Sequence, residues 1–242
     1  MTIHVGTSGY SYKEWKGSFY PEKIPAKDML RFYSERLRTV EINATFYRMP
    51  QASMLENWKE QVPPAFRFVL KAPQRVTHFK RLLETEELTK YFYETAAVLG
   101  DQLGVVLFQL PPNMKKDLPR LEAFLMQLPP AIRAAFEFRH PSWFDDDVLE
   151  LLRSQNRAFA VSDTDDLPTT HIDKTADWGY LRLRRVQYSA ENLAEWLALI
   201  RAQNWQETFL FFKHEDAGTG PKLAAQFLEL ARAASMRGLD PV

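Results

Sequence analysis

Eight short runs rich in β-branched and aromatic residues recur along the chain, and the hydrophobic period changes after most of them. They are Ile3–Thr7 (IHVGT), Thr39–Asn43 (TVEIN), Arg67–Lys71 (RFVLK), Gly104–Leu110 (GVVLFQL), Ala135–Arg139 (AFEFR), Ala158–Ser162 (AFAVS), Tyr180–Arg184 (YLRLR) and Thr208–Lys213 (TFLFFK). Composition and alternation predict strands. Between them, apolar residues at three- and four-residue spacing predict helices over Asp28–Leu37, Thr85–Leu99, Leu118–Leu128, Asp145–Gln155, Ser189–Gln203 and Pro221–Ala234. Thr85, Asp145 and Ser189 are expected N-caps, and Pro221 suits a first helical turn. Thr164–Gly179 shows no helical pattern and is expected to be a loop.

Strand alternating with helix implies parallel strands joined by crossovers, and a count of eight implies closure. The fold expected is α/β, a single (βα)8 TIM-barrel domain spanning residues 1–242, with the crossover after the sixth strand reduced to a loop. A doubly wound open sheet is the runner-up. The turn after the first strand, GTSGYSYKEWKG, lacks the glycine spacing that a dinucleotide-binding sheet would carry there.

Inside such a barrel the strand parity assigns the polar residues. Phe136 and Phe138 take the helix side, which turns Glu137 and Arg139 inward; Val40 and Ile42 likewise leave Glu41 and Asn43 inward. The same parity points Lys71, Gln109, Arg182, Arg184 and Lys213 inward, all late in their strands, where barrel enzymes place their sites. Two acidic residues against five basic ones leave positive charge at the mouth. A small anionic ligand would resolve it. The alternative is internal pairing, with Glu41–Arg139 and Glu137–Arg182 as the expected ion pairs, because an unpaired buried charge is costly.

Composition narrows the chemistry. The 242 residues are 45% hydrophobic and 26% charged with a formal net charge of zero, so the positive excess is local and no broad polyanion surface is implied. Cysteine is absent, which removes disulfides, thiolate metal sites and cysteine nucleophiles. The opening MTIHVGTSGY enters a strand at once, without the pattern of a secretory signal, and no apolar run approaches membrane-spanning length; a soluble cytoplasmic protein is expected. No cofactor is assigned. A divalent metal would have to draw on His78, His140, Asp163, His214 and Asp216, with no HxxxH or HxE spacing in support.

The loops after strands add ring-sized surfaces. Tyr10, Tyr12, Trp15, Phe19, Tyr20, Phe46, Tyr47, Trp143 and Phe144 either pack loop on loop or offer flat faces to a sugar or base. Gly218 and Gly220 precede the last helix, where barrels commonly hold phosphate, although Glu215 and Asp216 would repel it.

Taken together, GTSGYSYKEWKGSFYP, TVEINATFYRMP, LKAPQRVTHFKRL, FQLPP, FEFRHPSW and FFKHEDAGTGPKLA resemble, in this order and spacing, the YecE-like family, domain of unknown function seventy-two. The resemblance covers nearly the whole chain. It implies a TIM barrel and no established activity. The positions it picks out are Gly6, Thr7, Ser8 and Gly9 on the first strand and Glu41, Asn43, Thr45, Phe46 and Tyr47 on the second. Lys71, Thr77 and His78 follow, then Gln109, Pro111, Glu137, Arg139, His140, Trp143 and Asp163. The chain departs from the family pattern after the last two strands. Arg184 and Arg185 stand where relatives often have His-Gly, and Lys213 and His214 where they often have Asn-Asn.

The function expected is binding of a small phosphate or carboxylate, sugar-like, at the C-terminal mouth, with hydrolase or isomerase turnover favoured. Arg139, Lys71 and Arg182 would hold the anion, with Lys213, Gly218 and Gly220 further along the mouth. Asn43, Tyr47, His78, Gln109 and Trp143 would contact the ring. Glu41, Glu137 and Asp163 are the candidate proton-moving carboxylates, assisted by His140. A metal-dependent nuclease or a non-catalytic nucleic-acid-binding barrel is the alternative; no oligomeric state is implied.

Overall fold

The computed structural model describes residues 1–166, 169 and 172–236. Leu167, Pro168, Thr170 and His171, within the expected loop Thr164–Gly179, lie outside the described residues. The strands are β1 (Thr2–Ser8), β2 (Thr39–Ile42), β3 (Arg67–Lys71), β4 (Leu103–Gln109), β5 (Ala134–Glu137), β6 (Ala158–Phe159), β7 (Val161–Asp163), β8 (Trp178–Leu183) and β9 (Glu207–Phe212). The α-helices are α1 (Met29–Ser34), α2 (Ala44–Tyr47), α3 (Ala52–Glu60), α4 (Glu86–Ala96), α5 (Leu118–Leu125), α6 (Asp146–Ser154), α7 (Ala190–Ala202) and α8 (Thr219–Met236).

The strand order is β6-β5-β4-β3-β2-β1-β9-β8-β7. The expected sixth strand forms as two pieces: β6 pairs in parallel with β5, β7 pairs in parallel with β8, and Ala160 alone separates them. The two ends of the order are therefore halves of one extended segment. That is the topology of a (βα)8 TIM barrel, the α/β class expected from the sequence. Among the described residues no helix lies between β7 and β8, as expected for the reduced crossover.

By internal contacts the chain divides into two compact units. One comprises Met1–Val40, Val161–Asp173 and Asp177–Val242; the other comprises Glu41–Ala160 and Lys174–Ala176. In the second unit Phe108 and Phe136 stack at 5.3 Å, and both meet Phe124 of α5 edge-on at 5.1 and 6.3 Å. That fixes the helix-facing parity of β4 and β5. In the first unit Phe212 of β9 meets Phe227 of α8, while Tyr180 of β8 and Phe211 of β9 lie 5.5 Å apart.

The helix ends follow the sequence in part. Ser189 caps α7 through a full capping box with Asn192. Asp145 and Thr85 make no capping bond: the Asp145 carboxylate accepts from Lys116 Nζ, and Thr85 Oγ1 donates to Gln127 Oε1 at 3.2 Å. Asp117 caps α5 instead, accepting from the Arg120 N–H at 3.1 Å. Helix α3 has no counterpart among the expected elements. Leu55 is its one fully buried residue, so it carries little apolar signal.

The first unit is pinned by one phenol. Tyr33 is fully buried; its hydroxyl accepts from the Thr7 N–H and donates to the Thr39 carbonyl, each at 2.9 Å. Burial pushes its ionisation well above the ordinary phenol range. Gly6 lies beside this bridge because a Cβ there would stand 2.1 Å from the Thr39 carbonyl oxygen. Tyr33→Phe leaves those two groups without their partner and is expected to cost about 1–3 kcal/mol. At roughly 2–4 °C per kcal/mol for a chain of this size, a melting curve reads the loss. An unchanged midpoint would remove the bridge from the account of stability.

Candidate functional site

The second unit carries the denser cluster. Gln109 and Glu137 are register partners on β4 and β5, facing away from the Phe108–Phe136–Phe124 stack. Glu137 is 1% exposed. Arg139, two residues on, donates from Nε to Glu137 Oε1 at 3.0 Å. This pair forms where the sequence suggested Glu41–Arg139. The two terminal nitrogens of Arg139 make no further bond among the described residues, and its side chain is 34% exposed. A guanidinium held at Nε presents its remaining fork in the geometry that receives a carboxylate or phosphate.

Lys71 ends β3. It is nearly buried, with Nζ 4.0 Å from the centroid of the Phe46 ring. Thr45 braces the strand end by donating to the Lys71 carbonyl at 2.7 Å. The chain then forms a π-helical turn, Arg75–Phe79, a geometry that recurs at functional sites. It places the His78 ring edge-on to Phe46 at 4.9 Å, with Nδ1 2.9 Å from Thr77 Oγ1. Burial lowers the His78 pKa first, and the charges of Lys71, Arg139 and Arg81 lower it further. The imidazole is therefore neutral at neutral pH, and its Nε2 is unbonded among the described residues.

Arg81 joins this cluster through an unusual backbone. Arg81, Leu82 and Glu84 have φ values of 49°, 68° and 48°, in the left-handed region that non-glycine residues avoid. The buried Leu82 holds the bend through its N–H to the Val76 carbonyl at 3.0 Å, and the Arg81 guanidinium donates to Asn113 Oδ1 at 3.2 Å. Strain of this kind is retained where the surroundings over-determine it, commonly at binding sites. The sequence reading missed Arg81; its only signal was the basic end of THFKRL.

The other expected residues of this unit divide by role. Glu41 is fully buried on β2. The side-chain amides of Asn43 and of the nearly buried Gln109 make no hydrogen bond among the described residues. Tyr47 is 73% exposed. His140 is engaged in its own loop: its Nδ1 accepts from the Ser142 N–H at 3.2 Å and lies 2.9 Å from Ser142 Oγ. Trp143 corrects an expectation. It is fully buried, stacked on Phe138, with its indole N–H donated to the Met114 carbonyl at 2.7 Å, so it shapes the loop from beneath and offers no face to a ligand.

In the first unit Asp163 is a hub. Its carboxylate accepts from Arg185 Nε at 2.9 Å, Tyr188 Oη at 2.9 Å and the Thr169 N–H at 3.0 Å. Burial, with a further push from Asp163, raises the Tyr188 phenol well above its ordinary range. With its oxygens so engaged, Asp163 positions Tyr188, missed in the sequence, and Arg185, marked there only as a departure from the family pattern, more readily than it moves a proton. His214 Nε2 lies 2.6 Å from the Arg185 carbonyl. Arg182 is buried on β8, and Lys213 reaches Glu215 at 3.8 Å. Gly218 has φ 77°, and a Cβ there would meet Ser18 Oγ at 2.5 Å; Gly220 packs under the His214 carbonyl and Trp15. The first-loop aromatics pack on one another, with Trp15 4.7 Å from Tyr12 and 5.8 Å from Phe19. Among the described residues no three of His, Asp and Glu gather to hold a metal, and no helix is long and apolar enough to cross a membrane.

The electrostatics of His78 are directly measurable. Its pKa in an NMR titration is expected below 6.5 and closer to that ordinary value in Arg139→Ala, which removes one repelling charge. The unfolded chain takes up this proton first, so the stability His78 contributes is present above its unfolded pKa and lost as the pH falls through the folded one. A wild-type value at or above 6.5 would show that the three cations do not converge on the ring.

The family described as "Protein of unknown function DUF72" matches residues 4–241. The UPF0759 protein YunF of Bacillus subtilis is 25% identical over 224 residues, 88% of this chain and 78% of that protein. The UPF0759 protein YecE of Escherichia coli is 29% identical over 143 residues, 59% of this chain and half of that protein's length. Among solved structures, a DUF72 family protein from Thermotoga maritima superposes with a TM-score of 0.79 at 26% identity, covering 96% of this chain and 100% of that one. A GH5_18 protein from Bifidobacterium longum, solved in complex with Manb1-4GlcNAc, gives a TM-score of 0.60 at 10% identity over 96% of this chain and 78% of that one, a likeness of fold alone.

Proposed function

The chain belongs to the DUF72 family, and on its barrel we propose an enzyme that binds a small anionic, sugar-like molecule at Lys71, Arg81 and Arg139 and acts on it as a hydrolase or isomerase. The observation that carries this reading is the unbonded fork of Arg139, beside a histidine kept neutral by burial and, after it, by three cations. Like charges gathered at one place repel, and an anion with two oxygens relieves that repulsion while filling the fork. The unbonded amides of Asn43 and Gln109 suit the hydroxyls of a ring.

Proton transfer falls to His78 and Glu137. A neutral imidazole with a free nitrogen accepts a proton, and a carboxylate held against Arg139 stabilises charge nearby. The Bifidobacterium barrel that holds a disaccharide supports a sugar-like ligand by analogy of fold only.

A melting-temperature panel of inorganic phosphate, sugar phosphates and sugar acids tests the anion site. Ligand at about 100 times its dissociation constant adds roughly 2.7 kcal/mol, which at about 2–4 °C per kcal/mol is a shift of several degrees. The shift is expected for one anion class and lost in Arg139→Ala. No shift with any anion, or one that survives Arg139→Ala, overturns the site. Once a substrate is identified, Glu137→Gln and His78→Gln are each expected to lower turnover at least about 100-fold in protein that circular dichroism shows to be still folded. Unchanged turnover would remove that residue from the chemistry.

A further inference from the structure

Next to the cationic cluster lies a pocket that the anion site does not use. The cavity measures about 390 Å³ and is lined by Phe46, Tyr47, Gln51, Gln74, Arg75 and Tyr91 among others.

 That volume is near the lower end of ligand pockets, about 300–1,000 Å³, room for one ring and its substituents.

We propose that this pocket is a second sugar-ring subsite, so that the ligand is an acidic disaccharide rather than a single charged sugar. The proposal rests on the anion site above for the charged end of that ligand. Phe46 is common to both places: its ring lies under Lys71 Nζ at 4.0 Å and against His78 at 4.9 Å, and it also lines the pocket. The π-helical turn is shared in the same way, giving Arg75 to the pocket and His78 to the cluster. A ligand lying past Phe46 therefore has an anion receptor at one end and a ring-sized cavity at the other.

The lining selects a sugar. Tyr47 and Tyr91 are 73% and 54% exposed, flat faces on which the C–H face of a pyranose stacks. The amides of Gln51 and Gln74 make no hydrogen bond among the described residues, and each offers donors and an acceptor, a match for hydroxyls that an alkyl or plain aryl group would leave unmet. Pro50 and Pro73 stiffen the two segments that frame the cavity, so little ordering is needed on binding.

Calorimetric titration with a uronic acid monosaccharide, the matching acidic disaccharide, a neutral disaccharide and an aryl uronide tests this. The acidic disaccharide is expected to bind at least about tenfold tighter than the monosaccharide, about 1.4 kcal/mol. In Tyr91→Ala and Gln74→Ala that ratio falls towards one, whereas Arg139→Ala weakens both acidic sugars together. If the anion site fails and no uronic acid binds, Tyr91-dependent binding of the neutral disaccharide still upholds the subsite. A disaccharide that gains nothing over the monosaccharide, a gain that survives Tyr91→Ala, or an aryl uronide that matches the disaccharide overturns it.

Discussion

A carboxylate buried at the end of β5 is the constraint from which the candidate site follows. Glu137 is 1% exposed, and Phe136 before it must face α5 to complete the aromatic stack. Strand alternation then gives Glu137 no choice of side. A charge in that position needs hydrogen-bonding partners, and Arg139 supplies one from Nε. The same bond that settles the carboxylate fixes the guanidinium plane and turns its open fork outward. Packing on one face of the strand thus dictates the electrostatics on the other.

The segment after β3 works by a different device. A π-helical turn followed by left-handed residues is an expensive way to leave a strand. Its effect is to bring His78 onto Phe46 and Arg81 within electrostatic reach of His78. A regular helix beginning at the same place would spread these side chains around its circumference. The buried Leu82 and its bond to Val76 hold the bend in place.

What could be read in the sequence was whatever depends on period. Seven of the strands lie within two residues of their expected ends, and the inward parity of Gln109 and Glu137 followed from Phe108 and Phe136. The break at Ala160 was hidden because AFAVS is uniformly apolar up to Ser162 and carries no glycine or proline to mark an interruption. Asp163 looked like a free strand-end carboxylate because its partners Arg185 and Tyr188 are 22 and 25 residues away, and no local pattern announces them. Trp143 looked like a ligand platform because a loop tryptophan reads the same whether its N–H meets solvent or the Met114 carbonyl. Arg81 was passed over because a left-handed arginine has no compositional signature.

The cluster around His78 also couples two events that a list of residues would keep apart. Burial, and after it the charges of Lys71, Arg139 and Arg81, lower the proton affinity of the imidazole, and in the function proposed above the same charges attract an anion. An anion bound among them cancels part of that field, so the imidazole becomes more basic once the ligand is in place. By linkage, a proton on His78 must then strengthen the hold on the anion by the same factor. In the proposed function such a base gains strength when its site is filled and is protected from idle protonation in the empty protein, an effect of charge placement that needs no movement of the chain.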